Sequence, residues 1–258
     1  MDEVDRAVRR AAKLLEGVPG LIGGRPHTYI PRITFELRLL VERKGARFSL
    51  WDLGGGNGLF ALAATELGIQ ATNVDDLAGL VSTGADARIT DLLQRAGVRM
   101  IRHDLSAPLD IEPGVDVVTT MHTIEHMHSS PKAQYRIVAD ALAPGGLFVV
   151  AAPNAVNLRK RVSSLLGTHS WSSMDQWYET SVFRSHVREP RVSDLLYIAR
   201  DLGLNPSIIG KNFVGQSNTG WRGSAATVLG PLLERRPTLC SDLYLVASKS
   251  QLAPTASV

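Results

Sequence analysis

Apolar residues recur at helical spacing through VDRAVRRAAKLL, from Val4 to Leu15, and the Gly and Pro of GVPGLIGG stop the run. The pattern predicts a second helix after Pro31, through RITFELRLLVERKG. The period then changes. RFSLWDL and IQATNVD read as short buried strands with GLFALAATELG as the helix between them, and VRMIRHDL, VDVVTTM and GLFVVAAP read as three more strands. SPKAQYRIVADALAPGG is expected to be a helix with Ser130 as its cap and Gly145 past its end, and RVSDLLYIARDLG another helix. PSIIGKNFV and SDLYLVASK close the chain as strands, separated by a Gly-rich turn region and a further helix. Strands alternating with helices imply an α/β fold: a mainly parallel sheet with helices on both faces.

Composition narrows the class. With 258 residues, 44% of them hydrophobic, the chain can bury a sizeable core. No apolar run reaches the ~18 residues of a membrane span, and MDEVDRAVRRAAKLLEG alternates charge instead of pairing a basic patch with an apolar stretch. The expectation is a cytoplasmic protein without membrane insertion. The single cysteine, Cys240, excludes an internal disulfide framework and a cysteine-based zinc cluster, so any metal must be held by imidazole and carboxylate. A net charge of +3 is too small to argue for nucleic acid on its own.

Chemistry concentrates in two stretches. In LWDLGGGNGLFAL an apolar strand runs into Gly54, Gly55, Gly56 and Gly58 and then a helix. Glycines let the backbone turn sharply and approach a ligand, while the helix N-terminus offers unpaired N–H groups and a positive dipole end. A nucleotide-like ligand is expected there, with Asp75 at the end of the next strand placed to accept ribose hydroxyls. Spacing alone leaves two cofactor classes open: a dinucleotide fingerprint, Gly56-x-Gly58-x-x-Ala61, and the pattern Asp52-x-Gly54-x-Gly56-x-Gly58. The second stretch, TMHTIEHMH, contains His122-x-x-Glu125-His126, the H-x-x-E-H pattern of inverted zinc proteases. That reading needs the motif within a helix, whereas here it straddles the end of a strand.

The succession from residue 48 to 154 resembles the class I S-adenosylmethionine-dependent methyltransferases. The residues that carry the likeness are the glycine loop, Asp104 in RHDLSAPL, VDVVTTMHTIEHM as a fourth strand running into a helix, and the Pro-Gly-Gly turn of ALAPGGLFVVAAPN. No Tyr-x-x-x-Lys pair of a short-chain dehydrogenase is present. The resemblance implies a Rossmann-like, mainly parallel seven-stranded sheet with an antiparallel last strand. It implies one domain over residues 1–250, with cap helices in 1–45, a substrate-side insertion in 154–190 and a disordered tail in 251–258. It also implies S-adenosyl-L-methionine as cofactor, with Gly54, Gly56 and Gly58 beneath its aminoacyl part and Asp52 near its ammonium. Asp75, helped by Asp76, would hold the ribose, and Asp104 with the Leu105 backbone would hold the adenine edge.

The cluster after the fourth strand resembles the Glu-x-x-Glu-His pattern of ubiquinone-biosynthesis O-methyltransferases and of small-RNA 2′-O-methyltransferases, where the side chains bind a divalent metal. Here His122 stands in place of the first glutamate, and His186 in SHVREP is a candidate for the distant histidine. The resemblance implies a metal held by His122, Glu125, His126 and His186, or metal-free base catalysis by His126 or His186. Several imidazoles with one carboxylate favour zinc, iron or manganese over magnesium.

PNAVNLRKRVSSLLG, HSWSSMDQWYE and HVRE resemble methyltransferases encoded with sugar and glycolipid assembly enzymes. Trp171, Trp177 and Tyr178 are candidates to stack on a sugar face, and Arg159, Lys160, Arg161 or Arg188 to meet a phosphate or carboxylate. Tyr29 in GRPHTYIPR is a further candidate contact, in a segment expected to close over the cofactor. The expected activity is O-methylation of a small hydroxyl acceptor, a saccharide or glycolipid precursor. RNA 2′-O-methylation and a non-catalytic cofactor-binding subunit are the alternatives, and a homodimer stays open.

Overall fold

The elements form where the hydrophobic pattern changes period. The computed structural model describes residues 2–21, 29–168, 172–181, 183–213 and 232–251. Trp171, the Gly-rich region with its expected helix after Phe213, and residues 252–258 of the expected tail lie outside them. Seven strands form a mixed, Rossmann-like sheet in the order β3-β2-β1-β4-β5-β7-β6, and the antiparallel last strand is as expected. No helix among the described residues is long and apolar enough to cross a membrane.

The chain divides into two compact units, the first being Met1–Thr120 with Ala141–Ala143. It opens with α1 (Glu3–Glu16), capped by Asp2, whose Oδ1 accepts from the Asp5 amide at 2.9 Å. Its buried stripe of Val4, Ala7, Val8, Ala11, Ala12 and Leu15 packs against α2 (Ile30–Lys44) and α3 (Leu59–Thr65). Small alanines on this face let the helices approach closely, and α3 likewise buries Ala61, Ala63 and Ala64 beside Leu59, Phe60 and Leu62. The strands β1 (Ser49–Leu53), β2 (Gln70–Val74), β3 (Arg99–Ile101) and β4 (Val115–Met121) are parallel neighbours. Between β2 and β3 lie α4 (Ala78–Val81) and α5 (Ala85–Arg95), which buries Ala85, Ile89 and Leu93 one turn apart.

The second unit, Met121–Asp140 with Pro144–Val258, contains most of α6 (Lys132–Ala141) and β5 (Leu142–Pro153). It then runs through α7 (Leu158–Leu165), α8 (Met174–Tyr178), α9 (Val192–Asp201), β6 (Asn205–Lys211) and β7 (Asp242–Ser248). Ser130 lies one residue before the cap position of α6 instead of on it, its Oγ accepting from the Lys132 amide at 3.3 Å. The end of α6 differs from the expectation. The helix stops at Ala141, and Leu142 through Gly146 already belong to β5. The reason is a ladder with the far end of the chain: Gly145 N–H donates to Lys249 O at 3.1 Å, and Lys249 N–H donates to Gly146 O at 2.9 Å. Gly145 takes φ +72°, which only glycine adopts cheaply.

Candidate functional site

The glycine loop is held from three directions within the first unit. Gly54 and Gly55 donate to Val74 O at 2.8 and 3.3 Å, Gly58 donates to Gly55 O at 2.9 Å, and the Gly56 amide donates to Asp75 Oδ2 at 2.9 Å. Gly54, Gly56 and Gly58 all have positive φ, so the loop that opens α3 depends on glycine at these positions. Beneath it, the register Asn73↔Asp52↔Thr119 lines up three buried polar side chains across β2, β1 and β4. Thr119 Oγ1 donates to Asp52 Oδ1 at 2.7 Å, and Asn73 Nδ2 donates to Gly56 O at 3.4 Å.

A Cβ on Gly55 would lie 2.0 Å from Asn73 Oδ1 and 2.5 Å from Asp52 Oδ2. Asp52 therefore supports the loop from below. Burial pushes its carboxyl up to about 7, against the Thr119 hydrogen bond and with help from Glu36, a buried residue of α2. Glu36, Asn73 and Thr119 were not legible as site residues in the sequence. Their only signal was polarity within otherwise apolar stretches, TFELRLL, ATNV and VVTT.

Asp75 joins two loops: besides taking the Gly56 amide, its Oδ1 accepts from the Leu77 amide at 2.8 Å. Each oxygen keeps a further lone pair for a ligand. Burial raises its pKa, and the two amides partly offset that. Asp76 is exposed and accepts from the Ala78 amide at 2.8 Å. Asp104 is exposed, its carboxyl held below the usual range by the Ser106 amide, and Leu105 is half-buried beside it.

The buried Asp52 carboxyl carries a pH signature. From 3.8 to about 7 the folded protein holds a proton on Asp52 that the unfolded chain has released, so this group's stabilising contribution is full at acid pH and declines across that window. At about 1.4 kcal/mol per unit, the total is on the order of 4 kcal/mol. Asp52→Asn is expected to remove the part of that effect that falls between pH 5 and pH 8, about 3 kcal/mol of unfolding free energy for the two units from 5 to about 7, read by urea denaturation.

The histidine stretch belongs to the second unit. β4 ends at Met121, and His122 follows with φ +54°, a left-handed conformation that is strained for a non-glycine residue. Only a single 3-10 turn, Ile124–His126, follows in place of the expected helix. The turn is bound to the segment after α8: Val187 and Arg188 donate their amides to Glu125 O at 2.7 and 3.3 Å. His126 Nδ1 lies 3.0 Å from Arg184 O, and His128 Nε2 3.1 Å from Phe183 O. His186 does fold back onto the turn. The His126 and His186 rings meet edge to face with centroids 4.9 Å apart, and Glu125, His126 and His186 each offer a ligand atom within 4.8 Å of the others.

A carbonyl can only accept, so His126 carries a proton on Nδ1, and its neutral form has the lone pair on Nε2. His186 Nδ1 lies 2.8 Å from Glu189 Oε1, which selects the same tautomer. Burial pulls the His186 pKa below the ordinary value, with Glu125 acting in the opposite sense. Glu125 is 1% exposed, and neither carboxylate oxygen accepts a hydrogen bond among the described residues. His122 stands apart from the trio, with Nδ1 3.5 Å from Glu125 Oε1 and Nε2 3.9 Å from Asp242 Oδ1.

The expected substrate-side residues divide. Lys160 is buried and ion-paired to Glu189, and Arg161 donates to Val156 O at 2.6 Å and Thr238 O at 3.1 Å, so both are engaged internally. Arg159, Arg188, Trp177 and Tyr178 are exposed, and Tyr29 directly precedes α2. A cavity of about 500 Å³, lined by Ile124, Met127, Tyr135, Arg188, Tyr197 and Ile198 among others, opens beside the turn.

The chain matches the family described as methyltransferase domain over residues 25–206. No curated protein matches it. Among solved structures it is similar to an S-adenosylmethionine-dependent methyltransferase from Mesorhizobium loti, at 18% identity over 86% of this chain and 98% of that chain, with a TM-score of 0.57. Magnesium protoporphyrin IX methyltransferase from Synechocystis PCC 6803, with bound S-adenosylhomocysteine, is 13% identical over 94% of each chain, with a TM-score of 0.56. The 1,6-didemethyltoxoflavin-N1-methyltransferase of Burkholderia thailandensis, with bound 1,6-didemethyltoxoflavin and S-adenosylhomocysteine, is 18% identical over 84% of this chain and 78% of that chain, with a TM-score of 0.54. At these identities the likeness speaks for the fold.

Proposed function

Because this chain belongs to the methyltransferase domain family, and is thereby an enzyme, we propose that it transfers the methyl group of S-adenosylmethionine to a hydroxyl of a small acceptor, a saccharide or glycolipid precursor. The observation that carries the hydroxyl reading is the buried Glu125 carboxylate, without a hydrogen bond among the described residues, beside two imidazoles whose Nδ1 positions are already engaged. Such a set suits the removal of a proton from a weakly acidic group. An amine that reacts as its free base does not need it.

On the cofactor side, the glycine loop takes the aminoacyl part, and Asp75 with Asp76 takes the ribose. Asp104 and Leu105 take the adenine edge. Asp52 supports the loop from below and, as pH rises through about 7, becomes able to supply negative charge near the ammonium. The solved relatives from Synechocystis and Burkholderia that hold S-adenosylhomocysteine support this cofactor. When bound, S-adenosylmethionine supplies an electrophilic methyl whose carbon–sulfur bond breaks as the acceptor oxygen bonds to carbon, releasing neutral S-adenosylhomocysteine. His126 or His186, neutral and with a lone pair on Nε2, takes the hydroxyl proton, and Glu125 stabilises the imidazolium that forms. Trp177 and Tyr178 give exposed aromatic faces for a sugar ring, while Arg159 and Arg188 are the cations left for an anionic group.

The donor set also fits a divalent metal. One buried carboxylate and two imidazoles of defined tautomer, Glu125, His126 and His186, are ligands of zinc, iron or manganese more than of magnesium. Such an ion would supply Lewis acidity that lowers the pKa of the acceptor hydroxyl. His122 would then act beside the trio, between Glu125 and Asp242.

The test is transfer of labelled methyl from S-adenosylmethionine to a panel of saccharide, phenol, amine and RNA acceptors, with the product linkage identified. The expected product is an O-methyl ether of a small acceptor, and excess chelator is expected to reduce its formation at least ~10-fold if the metal assists. Methyl amine products alone would overturn the hydroxyl reading, and unchanged turnover in chelator would remove the metal.

A further inference from the structure

We propose that Glu189 is a positioning residue for His186, with Lys160 as the counter-ion that fixes its carboxylate. The inference rests on the catalytic reading of His186 and names the device that sets that residue's tautomer.

The three side chains form a continuous line within the second unit. Asn157 caps α7, its Oδ1 accepting from the Lys160 amide at 3.0 Å, and this places Lys160 on the inward face of an otherwise exposed helix. The Lys160 side chain is 8% exposed and its ammonium pairs with Glu189 Oε2, while Oε1 of the same carboxylate faces His186 Nδ1 at 2.8 Å. A carboxylate bridging a buried ammonium and an imidazole has both oxygens engaged, so it cannot rotate away without leaving a buried charge unpaired.

Held this way, Glu189 keeps the His186 proton on Nδ1 and the lone pair on Nε2. An imidazole without such a partner in water favours the opposite tautomer, with the proton on Nε2. The arrangement has the chemistry of a carboxylate that orients a ligating or basic histidine from outside and raises its basicity. His126 reaches the same tautomer by another route, through the Arg184 carbonyl. The difference is physical: the carbonyl fixes orientation, whereas the Glu189 carboxylate also counters the positive charge that arises on His186 when it accepts a proton.

Nothing in SHVREP announced this role. Glu189 follows His186 by three positions in an irregular segment, and Lys160 lies in α7, where it resembles its exposed neighbours Arg159 and Arg161.

The experiment is long-range ¹H–¹⁵N NMR of the histidine rings at pH 7 in the full chain, with the His186 signals assigned by their loss in His186→Gln. Two variants are compared with the wild type: Glu189→Ala, and Glu189→Ala combined with Lys160→Met, which removes the buried ammonium together with its partner. The wild type is expected to show His186 protonated at Nδ1. In the variants most of the population is expected to move its proton to Nε2, with kcat falling ~10- to 100-fold at unchanged acceptor KM. An unchanged tautomer in the folded double variant would overturn the inference. The tautomer reading does not depend on turnover, so it stays separate from the catalytic reading. That reading would instead fail if His186→Gln kept full activity.

Discussion

Gly55→Ala is expected to weaken S-adenosylmethionine binding by at least ~100-fold while leaving a folded protein. The added methyl would enter 2.0 Å from Asn73 Oδ1 and 2.5 Å from Asp52 Oδ2, distances that force something to move. Neither side chain has somewhere to go. Both are buried, Asp52 is tied to Thr119 at 2.7 Å, and the two stand in register on adjacent strands. The loop must lift instead, breaking the Gly55 and Gly56 amide bonds to Val74 O and Asp75 Oδ2. Overpacking of this kind costs about 1–3 kcal/mol of stability. The larger loss falls on the ligand, because the loop's amides no longer converge on it. Gly56→Ala makes a useful contrast. At that position no atom lies within 4 Å, and only the positive φ of +55° opposes the methyl, so a penalty of about 1–2 kcal/mol is expected. Calorimetric titration and thermal denaturation of the two variants check the ranking.

His126→Ala is expected to lower kcat by ~10²- to 10⁴-fold with the affinity for S-adenosylmethionine unchanged. The glycine loop and the acids proposed to hold the cofactor all come from the first compact unit, whereas His126 belongs to the second. The imidazole is exposed on the 3-10 turn, its Nδ1 engaged by Arg184 O, so its removal leaves no large cavity and little effect on folding is expected. Single-turnover methyl transfer measured beside cofactor titration separates the two effects. Loss of cofactor binding in parallel with turnover would mean that the histidine acts structurally, and full turnover would remove it from the chemistry.

How much of this was legible in the sequence depended on the range of the interactions involved. The strand–loop–helix at Leu50 to Thr65 was readable because its signal is local: a buried apolar run, clustered glycines and an alanine-rich helix. The same holds for α1 and α9, each amphipathic within its own length. The helix α5 carries only three buried apolar residues in eleven, a stripe too narrow to stand out among its charges. The extension of β5 back to Leu142 could not be read locally, because its hydrogen bonds come from Lys249 at the other end of the chain.

The candidate site shows the same division. Asp75, Glu125, His126 and His186 were identifiable by type and position. The row of Asn73, Asp52 and Thr119 exists only through strand register, and the Lys160–Glu189–His186 line only through the folding of α7 against a loop. Gly55 had no assigned role beside its three positive-φ neighbours, yet a Cβ there would lie closer to other atoms than one on Gly56 or Gly58. Spacing reveals where a backbone must turn. It does not reveal which glycine has a side chain packed against it from another strand.

The measurement that bears most directly on the account is a calorimetric titration of the purified protein with S-adenosylmethionine at neutral pH. Saturable binding at one site per chain is predicted, abolished or strongly weakened in Gly55→Ala. No heat of binding up to millimolar S-adenosylmethionine, with the protein shown to be folded, would contradict it.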